Sequence, residues 1–308
     1  MAKKEFDLSQ YLDKEQEVLP QVEYKEDLFM IMPESVQQAM KMPGFPLGHM
    51  SMIYGLSDSG KTALLLAAVK ACQQQDILPI LVVTENKLTK DRIVQAGIDL
   101  KKLILIENKK CLEDVYDYIS GKVQEIIDGK LPVKVMVFWD SVAGAPSRDS
   151  FEIKSNGAIE KNFDNRKNAN VIGFYNSIIA DRIAETRKKD YAGILGLVMI
   201  TQAYLGEKPK FPPGLPAPVV PNGGEKIWFP LSVAIEVREG SRISATINTH
   251  KVDCGLVSRI RVKKNHLSAI NSTDGEIAFI GQDVVENDKD IIKKVIEEKR
   301  EILAKGLL

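Results

Sequence analysis

Between Gly55 and Thr62 the chain reads GLSDSGKT, a turn with G-x-x-x-x-G-K-T spacing. This stretch limits the fold more than any other, because of the company such a loop requires. A glycine-rich turn can wrap its backbone N–H groups around phosphate only where a strand leads into it and a helix N-terminus closes it. Both flanks comply: MSMIY before it reads as a strand, and residues 61–75 after it read as a helix. In that setting Gly55, Leu56, Ser57, Asp58, Ser59 and Gly60 form the cradle, Lys61 reaches the β- and γ-phosphates, and Thr62 ligates Mg²⁺.

The strand–helix alternation continues. PILVVT (79–84), LILIE (103–107), VKVMVFWD (133–140) and ILGLVMIT (194–201) read as strands. Helices are expected near 89–96, 111–128 and 169–188, the last from Val171, Phe174, Tyr175, Ile178 and Ile179. Short, continuously apolar strands between helices predict a mostly parallel sheet covered on both faces. Beyond it, LSVAIEVR (231–238), RISATINT (242–249) and VSRIRVKK (257–264), with turns at Gly240 and Gly255, predict antiparallel hairpins along one edge. The fold class is therefore α/β, a P-loop NTPase core of mostly parallel sheet with an antiparallel edge. Residues 1–47, with nine acidic residues against five lysines, are expected as an N-terminal arm or oligomerisation element. The core is expected over 48–285 and an amphipathic C-terminal helix over 286–308.

Formal net charge is zero, which excludes a globally basic nucleic-acid binder and leaves only a local site. Cys72, Cys111 and Cys254 are far apart and read as buried thiols of a reducing compartment. No signal-peptide core and no run of 18 apolar residues is present, so a cytoplasmic location without membrane contact is expected.

Chemistry beyond the phosphate loop falls at strand ends. VMVFWD delivers Asp140 out of an apolar strand, a position suited to the Mg²⁺ site. LVVTEN ends in Glu85, suited to orienting an attacking water or taking its proton. VMITQ ends in Gln202, where a γ-phosphate contact would be passed on to the loop that follows. That loop, KPKFPPGLPAPVVPNGG, holds six prolines in seventeen residues, which excludes a helix interior or a central strand. In RIRVKKNH, Arg259, Arg261, Lys263 and Lys264 lie within six residues with no acid among them.

Taken in order, these segments resemble the RecA/recombinase family of ATPases, over roughly residues 40–285. GFPLGHMSMIYGLSDSGKT is similar to the family's entry to its P-loop. VVTENKLTKDRIVQAGID is similar to the stretch with the catalytic Glu, here Glu85. MVFWDSVAGAPSR, VMITQ, NGGEKIWFPLSVAIEV and SRIRVKKNHLSA follow in family order. The resemblance implies ATP and Mg²⁺ as cofactors, single-stranded DNA and, during exchange, duplex DNA as partners, and a homo-oligomeric helical filament. It implies DNA-binding loops near 143–168 and 203–224, carrying Arg148, Arg166, Lys167, Lys208, Lys210, Phe211, Gly223 and Gly224. It places Lys264 and His266 against the next subunit's nucleotide, and Arg92 where the family stacks a Tyr on adenine. His266 departs from the family's second lysine, and histidine is mostly uncharged at neutral pH. The implied function is a DNA-dependent ATPase that pairs and exchanges strands. A ring-shaped motor on the same core and a nucleotide-controlled assembly protein stay open as other readings.

Overall fold

The computed structural model describes residues 23–304, apart from 86, 110, 154–158, 162–164, 211–213, 215, 248 and 269–273. Side chains are described outside 151–167 only. The larger part of the expected arm, residues 1–22, lies outside the described residues, as does Phe211.

Five parallel strands form the middle of one sheet: β3 (Met50–Gly55), β4 (Leu78–Val83), β5 (Ile104–Ile106), β6 (Lys134–Asp140) and β9 (Ile194–Leu205). Their spatial order is β3-β9-β6-β4-β5. On the far side of β3 come β11 (Val233–Ile247), parallel to it, and then the antiparallel β12 (His250–Asn265), β13 (Asp274–Ile280) and β14 (Asp283–Val285). The sheet divides two apolar cores, because successive strand residues point to opposite faces. Met136 and Phe138 of β6 join one core, and Val135, Val137 and Trp139 the other.

The first core is covered by α2 (Lys61–Gln73) and α3 (Lys90–Gln95), the second by α4 (Leu112–Ile127) and α5 (Asn165–Glu185). Leu112, Val115, Tyr116, Ile119, Val123 and Ile126 give α4 one apolar stripe at helical spacing. By contrast α2 is apolar almost all round, as befits a helix wedged against the sheet. Two short antiparallel pairs stand apart: β1 (Phe29–Ile31) with β2 (Gly44–Pro46), and β7 (Phe151–Ile153) with β8 (Ile159–Lys161).

Three expectations need correction. Residues 28–47 are not separate from the core: Met30, Met32, Val36 and Phe45 are buried in it, with α1 (Glu34–Met40) lying against β13. Gly240 and Gly255 make no turns. Residues 233–238 and 242–247 of those segments belong to one long strand, β11, whose pairing with β12 slips between Glu239 and Arg242. A Cβ on Gly240 would come within 2.5 Å of the Val257 carbonyl oxygen, and one on Gly255 within 2.2 Å of that of Phe279. These glycines permit close backbone approach, the other reason for glycine in a strand. Finally, the C-terminal helix is two helices, α6 (Lys289–Glu298) and α7 (Arg300–Ala304), divided at Lys299.

The proline-rich segment is more regular than its composition suggests. β9 runs past the sheet, and Ala203–Leu205 pair antiparallel with β10 (Val219–Pro221), making a two-stranded arm. Pro221 sits at the end of a strand with no other neighbour, which is where a sheet tolerates proline. Among the described residues no helix is long and apolar enough to cross a membrane.

Candidate functional site

At the C-terminal ends of β3, β4, β6 and β9 lies a cleft of about 410 Å³, lined by Ser57–Ala63, Glu85, Arg92, Asp140 and Gln202 among others. This is where α/β sheets generally offer a crevice to ligands. The turn from β3 into α2 depends on Gly60, whose φ of 97° lies in the left-handed region. A Cβ there would meet Ser258 Oγ at 2.6 Å. Ser258 in turn donates to the Ser59 carbonyl at 2.8 Å, tying the loop to β12.

Lys61 Nζ donates to the Leu56 carbonyl at 2.6 Å, across the mouth of the loop. Burial lowers the pKa of this ammonium, opposed by the charges of Asp140, Glu85 and Asp58. Thr62 Oγ1 donates to Asp140 Oδ2 at 3.1 Å. Desolvation pushes the Asp140 carboxyl up to about 6, against the stabilising Thr62 hydrogen bond. Ser59 Oγ is buried with no hydrogen-bond partner among the described residues. An orphaned hydroxyl in the cradle, a buried ammonium and a hydroxyl–carboxylate pair fit a phosphate chain with a divalent cation. They do so with hard oxygen donors, as Mg²⁺ requires.

Glu85 and Gln202 meet across the cleft. Gln202 Nε2 donates to Glu85 Oε1 at 3.2 Å, and Ser141 Oγ donates to the same oxygen. Thr84 Oγ1 donates to the Ser141 carbonyl at 2.6 Å and accepts from Trp139 Nε1 at 3.1 Å. Ser141 and Thr84 went unnoticed in the sequence; their signal was only that each adjoins a strand-end carboxylate. Gln202 is also the root of the arm: Asn222 N–H donates to its carbonyl at 2.8 Å, and Thr201 Oγ1 donates to the Asn222 carbonyl at 3.0 Å.

Other expected residues lie apart. Lys208 and Lys210 are exposed near the end of the arm, where Tyr204 and Leu205 are 53% and 59% exposed. Gly223 and Gly224 take positive φ where the arm returns to the body. Arg148 is held by Asp114 at 2.6 Å, so it is engaged with α4 and not grouped with the arm. Arg166 and Lys167 fall on α5, and their side chains are outside the described residues. Lys264 and His266 do not line the cleft. Lys264 Nζ donates to the carbonyls of Trp228 and Phe229 at 2.6 and 3.2 Å, and Phe229 itself is 75% exposed. Burial lowers the Lys264 pKa. The basic run that lacks acids in sequence acquires them in space: Arg259 pairs with Glu276, Arg261 with Asp274, and Lys263 with Glu236.

The family model for the RecA N-terminal domain matches residues 23–153. Protein RecA of Lactococcus lactis subsp. cremoris strain MG1363 is 22% identical over 231 residues, covering 75% of this chain and 54% of that protein. Protein RecA of Mycoplasma mobile is 24% identical over 238 residues, covering 76% and 63%. Protein RecA of Ureaplasma parvum serovar 3 is 21% identical over 234 residues, covering 76% and 62%. The chain thus spans little more than half the length of the curated relatives it matches.

Proposed function

We propose, from the premise that this chain is RecA-like, that it is an ATP-dependent recombinase that coats single-stranded DNA as a filament. In this reading it hydrolyses ATP in response to DNA and promotes pairing and strand exchange with duplex DNA. The supporting observation is the position of Gln202. It shares a hydrogen bond with Glu85 inside the cleft and immediately precedes Ala203–Leu205, the first strand of the arm. A change at the γ-phosphate end is thereby coupled to the arm through one side chain.

Lys61 and the loop N–H groups would hold the triphosphate, and Thr62 with Asp140 would hold Mg²⁺. The cation would supply charge neutralisation on the β- and γ-phosphates. Glu85, held by Ser141 and Gln202, would orient a water and accept its proton. Lys208 and Lys210 would meet DNA phosphates, and Phe211 would stack on bases. Lys264, bound to the carbonyl of the exposed Phe229, and His266 would serve the neighbouring copy's nucleotide in the assembled filament.

The test is ATP hydrolysis with and without single-stranded DNA, with Lys61→Ala as the blank. DNA stimulation lost in the variant and weakened by salt is the expected result. ATP binding with no DNA affinity and no stimulation would refute the reading.

A further inference from the structure

We infer that Lys87 is a second catalytic cation of the nucleotide cleft, delivered in cis to the γ-phosphate from just beyond β4. The inference rests on the nucleotide reading of the cleft. Lys87 lines that cleft together with Lys61, Glu85, Asp140, Ser141 and Gln202. Its Nζ lies 3.9 Å from Glu85 Oε2. The other carboxylate oxygen, Oε1, is already taken by Ser141 Oγ and Gln202 Nε2.

The two partners differ in freedom. Glu85 is half-buried and closely fitted: a Cβ on Gly144 would come within 2.4 Å of its Cγ, so the glycine leaves room for the carboxylate's stem. The Lys87 side chain is 77% exposed, and Glu85 is its one ion-pair partner among the described residues. Arg242, another cation lining the cleft, is instead tied to Glu239 by two bonds at 2.9 and 3.2 Å. A solvated ion pair at 3.9 Å is worth little. A lysine held so weakly, on a flexible four-carbon stem, is free to move to a stronger anion.

The γ-phosphate is that anion. Lys61 opens α2 and reaches the β- and γ-phosphates, while Glu85 is the carboxylate placed to take the water's proton, so the γ end lies between them. Lys61 senses both members of the ion pair: burial lowers its pKa, the charges of Asp140 and Glu85 oppose this, and the Lys87 charge adds to it. Lys87 therefore stands within electrostatic range of the ammonium that marks the γ end. When it moves to the γ-phosphate oxygens, Glu85 Oε2 is left free to accept a proton. The water oxygen bonds to the γ-phosphorus and its proton passes to Oε2. The bond from that phosphorus to the β–γ bridging oxygen breaks, its electron pair staying on ADP. Lys87 balances charge on the phosphoryl oxygens throughout the transfer.

The test is calorimetric titration with Mg²⁺ and either ADP or the β,γ-imido analogue of ATP, alongside steady-state ATP turnover. Lys87→Met should leave the ADP affinity and the melting temperature unchanged. It should weaken the analogue about tenfold, the worth of one charge-assisted hydrogen bond, and lower kcat about thirtyfold. Lys87→Arg, which keeps the charge, should recover most of both. A loss of kcat with the analogue bound as tightly as by wild type would mean that Lys87 only positions Glu85, and overturns the inference. Equal weakening of ADP and the analogue overturns it too, and either result leaves the phosphate site standing. No binding of either ligand to the wild-type chain, with Lys61→Ala indistinguishable, overturns the nucleotide reading itself.

Discussion

The two ends of β9 meet opposite environments. Ile194–Thr201 are buried, with Ile194–Met199 paired to β6 and Leu197–Thr201 paired to β3. Gln202 is the last residue paired with β3; beyond it Ala203–Leu205 pair with β10, and Tyr204 and Leu205 turn to solvent. The buried part offers fixed geometry: its neighbours β3 and β6 lead into Thr62 and Asp140, which share a hydrogen bond. The exposed part offers reach and leaves apolar surface uncovered, the usual mark of a surface with a partner. Gln202 stands at the boundary, so the comparison is best tested there and on either side.

The largest effect is expected on the buried side. Lys61→Ala should lower ATP turnover by at least about 100-fold, because Lys61 is the one cation that the Gly55–Thr62 loop itself carries. Steady-state phosphate release measures it.

Asp140 comes next, and its effect is on stability. Folded, it keeps its proton to about pH 6, against an ordinary value of 3.8 in the unfolded chain. Between those values the folded state binds the extra proton. Stability from this group is therefore full at low pH and declines as pH rises through the window, by up to about 3 kcal/mol. Urea melts without nucleotide should show Asp140→Asn losing less stability than wild type between pH 4 and 7. Equal slopes would mean the carboxyl is better solvated than its burial implies.

At the boundary, Gln202→Ala should leave ATP affinity within about threefold and cut DNA-stimulated turnover by about tenfold. Parallel loss of basal and stimulated rates would make Gln202 part of the cleft alone. The smallest effect belongs to the arm: Lys208→Ala with Lys210→Ala should weaken single-stranded DNA binding a few-fold. The salt dependence should fall by about 1.4 in log–log slope, as two phosphate contacts predict.

The buried half was the more legible in sequence, for a physical reason. Parallel strands covered on both faces must be continuously apolar, so β3, β4, β6 and β9 stood out, as did Glu85, Asp140 and Gln202 where three of those apolar runs end. The exposed half gives no such signal. Six prolines indicated irregular chain, yet Val219–Pro221 form a strand, because an edge with one neighbour has spare N–H positions that proline can occupy. Gly240 and Gly255 misled for a related reason: glycine serves a turn and a close backbone approach equally well, and sequence does not distinguish them. Lys264 was found by its charge, but its two carbonyl partners come from residues 228 and 229, a contact no local pattern encodes.

The strand order has a consequence for how the chain reaches this state. β3, which carries the phosphate loop, is bordered by β9 and β11, whose residues come about 145 and 180 positions later. Lys25 likewise donates to the carbonyls of Thr186 and Gly193, so the earliest described segment closes on the middle of the chain. Contacts so distant in sequence carry a large loop-closure cost and slow folding. During synthesis the phosphate loop emerges long before either strand that supports it. A nascent chain halted before β9 would carry the whole GLSDSGKT motif and still hold no preformed phosphate site, so the motif becomes functional late, when the middle of the sheet is filled.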